Sequence, residues 1–558
     1  MNDTRRAILW GVFSLSLVML WDGWQKSKGE PSLFSPAPVV ATSPATTGAA
    51  SGTALPAPVA TGSVATPQAP AVGAPAAAPA ATVVATTDNY KVTFDTRGAS
   101  VIGLQLLKQQ GQGNTDKPMM LFEHSPQRLY QADSGLLPRQ AGDAPPPNHQ
   151  TVMTRVDGPL TLDAGKDELA VTFESPEVGG VVLRKTYVFK RGLYTIDVRH
   201  EVINRSAANV APQLYLQLVR DGNIEETSML MGPSSFTGPA VFSEQGKFQK
   251  IEFADIDKGK AEHEKSADNG WVAMVQHYFA SAWLVGDKQT REFRATKIAN
   301  NLFSVAMVLP LADVAPGASL THNATLYAGP QEENKLAALA PGLELVKDYG
   351  MLTLLAKPLF WLLDKLHGIL GNWGWAIVAL VVLLKIAFYW LNASAYRSMG
   401  KMKAINPRVQ EMRERLKDKP QLMQQEMMRM YREEKVNPLG GCLPIVVQMP
   451  FFIALYWVLL SSVEMRNAPW IGWISDLSSK DPFYILPIVM TLSTMFQTWL
   501  NPTPPDPVQA KMMWIMPLVF SVMFFVFPAG LVLYWVTNTL LSIAQQWFIN
   551  KQLGVLNK

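Results

Sequence analysis

From Trp373 to Asn392 the chain reads WGWAIVALVVLLKIAFYWLN, twenty residues that are apolar except for Lys385 and the closing asparagine. A helix of this length crosses a hydrocarbon core about 30 Å thick. A lysine near the centre of such a helix costs roughly 2.5–3.5 kcal/mol on insertion scales. Snorkelling to the nearer headgroup layer is the plain way to relieve that cost. However, Asn392 and Arg397 already mark the membrane edge, and Lys385 lies roughly two to three turns inside it. A wet cavity that uses the charge fits better, and Lys385 becomes the first candidate functional residue. Further polar residues recur inside later apolar segments: Gln448, Thr491, Ser493, Thr494, Gln497, Thr537 and Asn538.

Other chemistry finds no foothold. His200, His263 and His277 lack metal-ligand spacing and read as structural. No Gly-rich phosphate loop, zinc signature or nucleophile elbow occurs, so neither a cofactor nor an enzymatic activity is expected. A net charge of +4 over 558 residues argues against specific nucleic-acid binding. A single cysteine, Cys442, excludes an internal disulfide framework.

These residues must be positioned by a chain of changing character. Residues 1–24 carry two arginines ahead of an apolar run and leave through Trp21-Asp22-Gly23-Trp24, with no small-residue cleavage site. They read as an uncleaved signal anchor with the arginines inside. Residues 25–87 are a tether rich in Ala and Pro, uncharged from 31 to 87 and too poor in large apolar groups to fold. Residues 88–330 alternate short β-rich runs with turns, namely Tyr90–Phe94, Ser100–Leu107, Val181–Lys190, Tyr194–Asn204, Gln213–Val219, Trp271–Val285 and Leu302–Leu309. The Lys190–Gly192 break between two alternating runs is a hairpin signature, and the region reads as one antiparallel β-sandwich.

Residues 331–348 read as a polar helical connection, and 351–370 as an interfacial amphipathic helix broken or kinked at Pro358, so that 331–372 leads back to the membrane. Residues 373–395 form the helix with Lys385. Residues 396–440 form a charged helical hairpin: between Arg397 and Lys435 stand eleven basic residues and six acids. The positive-inside rule puts this hairpin in the cytoplasm. Its Met402, Ile405, Val409, Met412 and Leu416, then Met423, Met427 and Met430, either zip the hairpin or face hydrophobic clients, and zipping is the plainer reading. Residues 441–558 hold four more spans, 443–463, 483–500, 513–527 and 531–548, and a short cytoplasmic tail. The third is short for a bilayer about 30 Å thick, which points to local thinning.

This layout resembles the YidC/Oxa/Alb family of membrane protein insertases in its Gram-negative form. The motifs that carry the resemblance are KVNPLGGCLPIVVQMPFFIALYWVL at 435–459, SVEMRNAPWIGWISDLSSKDPFYILPIVM at 462–490 and MPLVFSVMFFVFPAGLVLYWVTN at 516–538. It covers nearly the whole chain apart from the tether.

The resemblance implies a polytopic α-helical membrane protein of the bacterial inner membrane, with an N-terminal anchor, a five-helix core and a periplasmic β-super-sandwich related to sugar-mutarotase folds. That fold likeness implies no sugar chemistry. It implies a hydrophilic groove open to cytoplasm and lipid that inserts nascent membrane proteins, alone or with the Sec translocon, with lipoproteins an open second class. Ribosomes or targeting factors would dock on the 396–440 hairpin. By the same matching Gln448, Met449, Phe452, Tyr534 and Trp535 line the client path, and Asn538 joins them as a polar groove residue. Two departures stand out. The groove charge, an arginine in the family, is Lys385 here, which keeps the charge and loses the bidentate fork. After Phe548 only INKQLGVLNK follows, without a long basic tail. Two competing readings are a secondary transporter or channel with Lys385 in its substrate site, and an envelope enzyme on a membrane anchor. No internal repeat among the core spans supports the first, and the second has no use for a buried lysine.

Overall fold

From residue 82 buried and exposed side chains alternate, as in Tyr90–Asp95 and Glu168–Glu174, and such period-two segments pair as strands. The computed structural model describes residues 81–111, 117–139, 143–224, 235–286, 288–416, 419–434, 443–501 and 507–552. The expected anchor at 1–24, the tether up to residue 80, the tip and end of the hairpin at 417–418 and 435–440, Cys442 and the last six residues lie outside the described residues.

Two nine-stranded sheets form, and their strand ladders are antiparallel. In spatial order the first holds Thr82–Thr86, Tyr90–Asp95, Ser100–Gln110, Pro118–His124, Leu129–Leu137, Gln213–Asp221, Leu302–Pro310, Arg291–Ala299 and Ser266–Ala267. The second holds Lys247–Lys250, Gly238–Ser243, Trp271–Gln276, Phe279–Leu284, Ser319–Pro330, Thr195–Asn204, Val181–Lys190, Glu168–Glu174 and Thr154–Arg155. Val92, Leu104 and Leu216 of the first share one buried cluster with Val171, Leu183 and Leu326 of the second, so the sheets pack face to face.

The hairpin at Lys190–Gly192 is present, with Arg184 opposite Glu201 and Gly192 at a φ of 76°. The Trp271–Val285 run is not one strand. It turns back at His277-Tyr278, with Gln276 paired to Phe279 and Tyr278 at a φ of 67°. Both arms are buried on both faces, so no alternation betrays the turn. Leu129–Leu137 went unmarked in the sequence because its buried residues include the polar Gln131, Asp133 and Ser134.

One lysine lies inside this sandwich. The Lys185 amine donates to the carbonyls of Gly98 and Ser134, each at 2.6 Å. Burial pushes it down to about 7, with Asp133 pulling the other way. A neutral amine has two N–H donors, and here both have acceptors. In the unfolded chain the same group titrates near 10.4. Between about pH 7 and that value the unfolded state therefore binds the extra proton, and stability rises with pH; below pH 7 this group contributes no slope. We expect hydrogen exchange of the Thr195–Asn204 amides in the full-length protein, corrected for intrinsic rates, to show an opening free energy rising by about 1.4 kcal/mol per pH unit from pH 7.5 to 9. A slope that survives in Lys185→Met would mean that the lysine is not its source.

The connection at 331–348 is less polar in effect than its composition. Helix α2 (Glu333–Leu339; α1 is the short Phe253–Asp257) and a 3₁₀ turn at Leu343–Val346 bury Leu336, Leu343 and Val346 against Phe242 and Trp271. The Trp271 indole donates to the Pro341 carbonyl at 3.0 Å. Helix α3 (Thr353–Leu370) runs unbroken through Pro358, contrary to the expected break. Pro358 forgoes only its bond to the carbonyl of Leu354, an exposed residue in the helix's first turn.

The Lys385 segment is also not one straight helix. α4 (Trp373–Ala387) stops at Phe388, and α5 (Tyr389–Arg415) leaves at 69°. No Pro or Gly lies between Gly374 and Gly400, so no local signal marks the bend. Tertiary packing holds it: Phe388 meets Phe451 edge-on at 5.1 Å, and the Gln545 amide donates to the Tyr389 carbonyl at 3.4 Å. α5 continues into the hairpin with α6 (Pro420–Glu433), where Met402, Met427, Met430 and Tyr431 pack on Ile405 and Val409. These methionines zip the hairpin.

Four more helices follow: α7 (Leu443–Ser461), α8 (Ile485–Leu500), α9 (Pro507–Phe524) and α10 (Ala529–Gln552). No single described helix is long and apolar enough to cross a membrane; the bent pair α4 with the start of α5 has the length and composition. The 16 residues of α8 extend about 24 Å.

Candidate functional site

The site is built where α4, α7, α8 and α10 meet. The start of α4 is set by Asn372. Its side-chain oxygen accepts from the Trp375 N–H at 3.1 Å, and its amide donates to the carbonyls of Pro469 and Trp470, each at 3.1 Å. A side chain at Gly374 would collide with Trp470, its Cβ falling 2.2 Å from that ring, so glycine is required there. The start of α10 is tied to the same loop: the Ala529 N–H donates to Ser479 at 2.7 Å and the Gly530 N–H to Leu477 at 2.9 Å. Asp481, buried, accepts from the N–H groups of Phe483 at 3.0 Å and Leu486 at 2.7 Å and caps α8. The loop from Ser462 to Tyr484 thus holds the same end of three helices.

Below that loop lies a cavity of about 310 Å³. Lys385, half-buried on α4, points into it and donates to the Ser542 hydroxyl on α10 at 2.7 Å. Ser542 in turn donates to the Asn538 carbonyl at 2.7 Å. No carboxylate among the described residues neutralises Lys385. Gln448, Met449 and Phe452 of α7 form one wall, and Tyr534, Trp535 and Asn538 of α10 the other. Phe452 bridges the walls, edge-on to Trp535 at 4.4 Å and stacked with Tyr534 at 5.8 Å. All seven residues singled out from the sequence line this one cavity.

Six of the seven polar residues of the spans divide into two groups, and the seventh, Ser493, is buried on α8 outside the cavity lining. Thr491, Thr494 and Thr537 bond the carbonyl four residues back in their own helices, at 2.8–2.9 Å. Such back-bonds satisfy the hydroxyl locally, and none of the three lines the cavity. Gln448, Gln497 and Asn538 do line it. Ser542 and Thr539 were missed. The signal was available: Tyr534, Asn538 and Ser542 are four apart, and Trp535, Thr539 and Ser542 follow at i, i+4 and i+7, one helix face. The cavity can hold several waters beside one fixed cation and three amides, with aromatic rings at its rim. It can attract a carboxylate and pass an apolar segment.

Comparison with known proteins decides the family. Residues 82–362 match the YidC periplasmic domain, and residues 365–555 match the 60Kd inner membrane protein family. The membrane protein insertase YidC of Cupriavidus necator is 57% identical over 99% of this chain and 98% of its own. This chain belongs to the YidC family of membrane protein insertases. The family member of Ralstonia nicotianae is 56% identical over 100% of this chain and 99% of its own. A solved structure of an active YidC insertase, with its first transmembrane domain resolved, is 18% identical, covers 83% of this chain and 91% of its own, and has a TM-score of 0.39. The family is one of inner-membrane insertases with a periplasmic domain, and it acts on membrane proteins. In this chain the matched region contains the two antiparallel sheets.

Proposed function

We propose that this insertase works through the cavity around Lys385, as a groove that shortens the dry path for a client's polar flank. The observation that carries the reading is an un-neutralised Lys385 bonded to a hydroxyl, beside three amides, in a space rimmed by Phe452, Tyr534 and Trp535. A client helix must carry polar flanking residues across about 30 Å of hydrocarbon. Water reaching partway lowers that barrier, and Lys385 draws in acidic residues of the leading segment. Short helices such as α8 favour a thinned bilayer beside the groove. The client's apolar stretch then leaves sideways between α7 and α9 into lipid, driven by burial worth roughly 25 cal/mol per Å². No nucleotide is consumed.

In this reading the N-terminus is cytoplasmic, 25–372 periplasmic, 393–442 cytoplasmic, 464–482 periplasmic, and 501–512 and the C-terminus cytoplasmic. In this reading the chain divides into anchor 1–24, tether 25–81, sandwich 82–330, connector 331–372, Lys385 segment 373–395 bent at Phe388, hairpin 396–440 and bundle 441–558; the strand Thr82–Thr86 moves the start of the sandwich back from the expected 88. The Sec translocon, and ribosomes or targeting factors at the hairpin, are the partners this arrangement suits.

Site-specific photocrosslinking to a nascent membrane protein tests it. Probes at Met449, Phe452 and Asn538 should capture the client, and a probe at Trp361, exposed on α3 outside the cavity lining, should not. Equal capture from all four would remove the groove as the path. A cysteine at position 410, labelled in intact cells by an impermeant reagent, should stay unreacted, and reaction there would overturn the topology.

A further inference from the structure

Outside the cavity, one buried charge pair is left unused by this mechanism. Lys347, at the end of the connector, is buried, and its amine lies 3.0 and 3.2 Å from the two carboxylate oxygens of Glu464. The same amine stands 3.6 Å above the centre of the Phe360 ring on α3. Glu464 sits in a single 3₁₀ turn, Val463–Met465, directly after α7. One amine therefore ties together the connector, α3 and the end of α7. Two residues on, Arg466 reaches the sandwich. Its guanidinium lies 5.1 and 5.3 Å from the rings of Tyr278 and Phe279 and donates to the Gln110 carbonyl at 2.9 Å. Tyr278 is the turn residue with positive φ.

We propose that Lys347 and Glu464 are a positioning pair for insertion, an ion pair that fixes α7 against α3 and so keeps the Gln448–Phe452 wall of the cavity in place. α3 and α7 otherwise meet through apolar side chains: Ala356, Leu359, Phe360 and Leu363 against Ala454, Leu455, Val458 and Leu459. In a lipid setting such contacts have little advantage over acyl chains and do not specify register. A buried ion pair does, because sliding or turning α7 would strand two charges. Arg466 is the second point, which seats the sandwich on the same loop. The inference rests on the reading of the cavity as the client path.

The test uses the full-length protein in membranes at matched amounts. Lys347→Met and Glu464→Gln should each lower client insertion about tenfold, and the double variant should be no worse than either single change, since it leaves no lone buried charge. Lys347→Arg should keep most of the activity. Photocrosslinking from Phe452 should fall in the single variants while crosslinking from Trp535 on α10 holds, a change that loss of protein alone would not produce. Insertion at the parent level in both single variants overturns the proposal, as does a double variant whose loss is the product of the two. If a single variant fails to reach the membrane, the double variant and Lys347→Arg decide by the same comparison. Lys385→Ala, run alongside, separates the two ideas: full insertion there removes the lysine from the groove reading without touching the clamp, whereas loss there without loss at Lys347→Met sinks only the clamp.

Discussion

Lys385→Glu is expected to abolish insertion, by on the order of a hundredfold or more, while Lys385→Arg retains it. The amine occupies the cavity without a carboxylate partner among the described residues, so its field is available to a client. Reversing the charge turns attraction for an acidic leading segment into repulsion. Arginine keeps the charge and still offers a donor to Ser542. Lys385→Ala should also fail, and clients with acidic leading segments should lose most. The wet character of the site has its own readout. In a Cys442→Ser background the thiol of Lys385→Cys should react with a water-soluble reagent added from the cytoplasmic side. Full insertion of every client by Lys385→Ala, together with an unreactive thiol, would leave the lysine a bystander and place the work on cavity shape and membrane thinning.

Removal of residues 398–434 is expected to lower insertion by about tenfold, with the membrane bundle still folded. The hairpin is a unit of its own: its small buried cluster is made by its own two helices. Its outer face is charged, with Arg408 paired to Glu434 and Arg429 to Glu426 and Glu433, at exposed positions apart from the half-buried Glu426. Exposed pairs of this kind contribute little stability, whereas a surplus of five positive charges between Arg397 and Lys435 creates a field toward an anionic partner. Ribosome binding to membranes containing the protein should therefore weaken between about 50 and 300 mM salt, and the deletion should remove that dependence. Parent-level insertion and unchanged salt dependence would reduce the hairpin to scaffolding.

The sequence by itself singled out seven residues that the fold gathers at one cavity, Lys385 and Asn538 through their polarity inside apolar runs and the other five through the family motifs. A lysine inside an apolar run has no inexpensive explanation, so Lys385 stands out without any fold in hand. The family motifs supplied Gln448, Met449, Phe452, Tyr534 and Trp535. The Val181–Lys190 and Thr195–Asn204 hairpin was equally legible, because Thr195–Asn204 keeps period two and the Lys190–Gly192 break marks the turn, even though Val181–Lys190 is buried on both faces over much of its length. Where both faces are buried, as at Trp271–Gln276 and Phe279–Leu284, alternation vanishes and the turn between them vanishes with it.

Only the tertiary structure decided the rest. The 69° bend after Lys385 has no proline or glycine to announce it; contacts from α7 and α10 impose it, and those are separated from Phe388 by more than fifty residues. The polar residues of the spans look alike in one dimension. In three, Thr491, Thr494 and Thr537 turn back on their own helices, while Gln497, Asn538 and Ser542 face the cavity. Lys185, Lys347 and Lys385 are likewise one residue type with three roles. The first donates to two carbonyls in a sandwich core, the second pairs with a carboxylate at a helix end, and the third meets a lone hydroxyl in an open cavity. A side chain's chemistry is written in the sequence, but the groups that answer its charge arrive from distant positions, and only folding brings them within 3 Å.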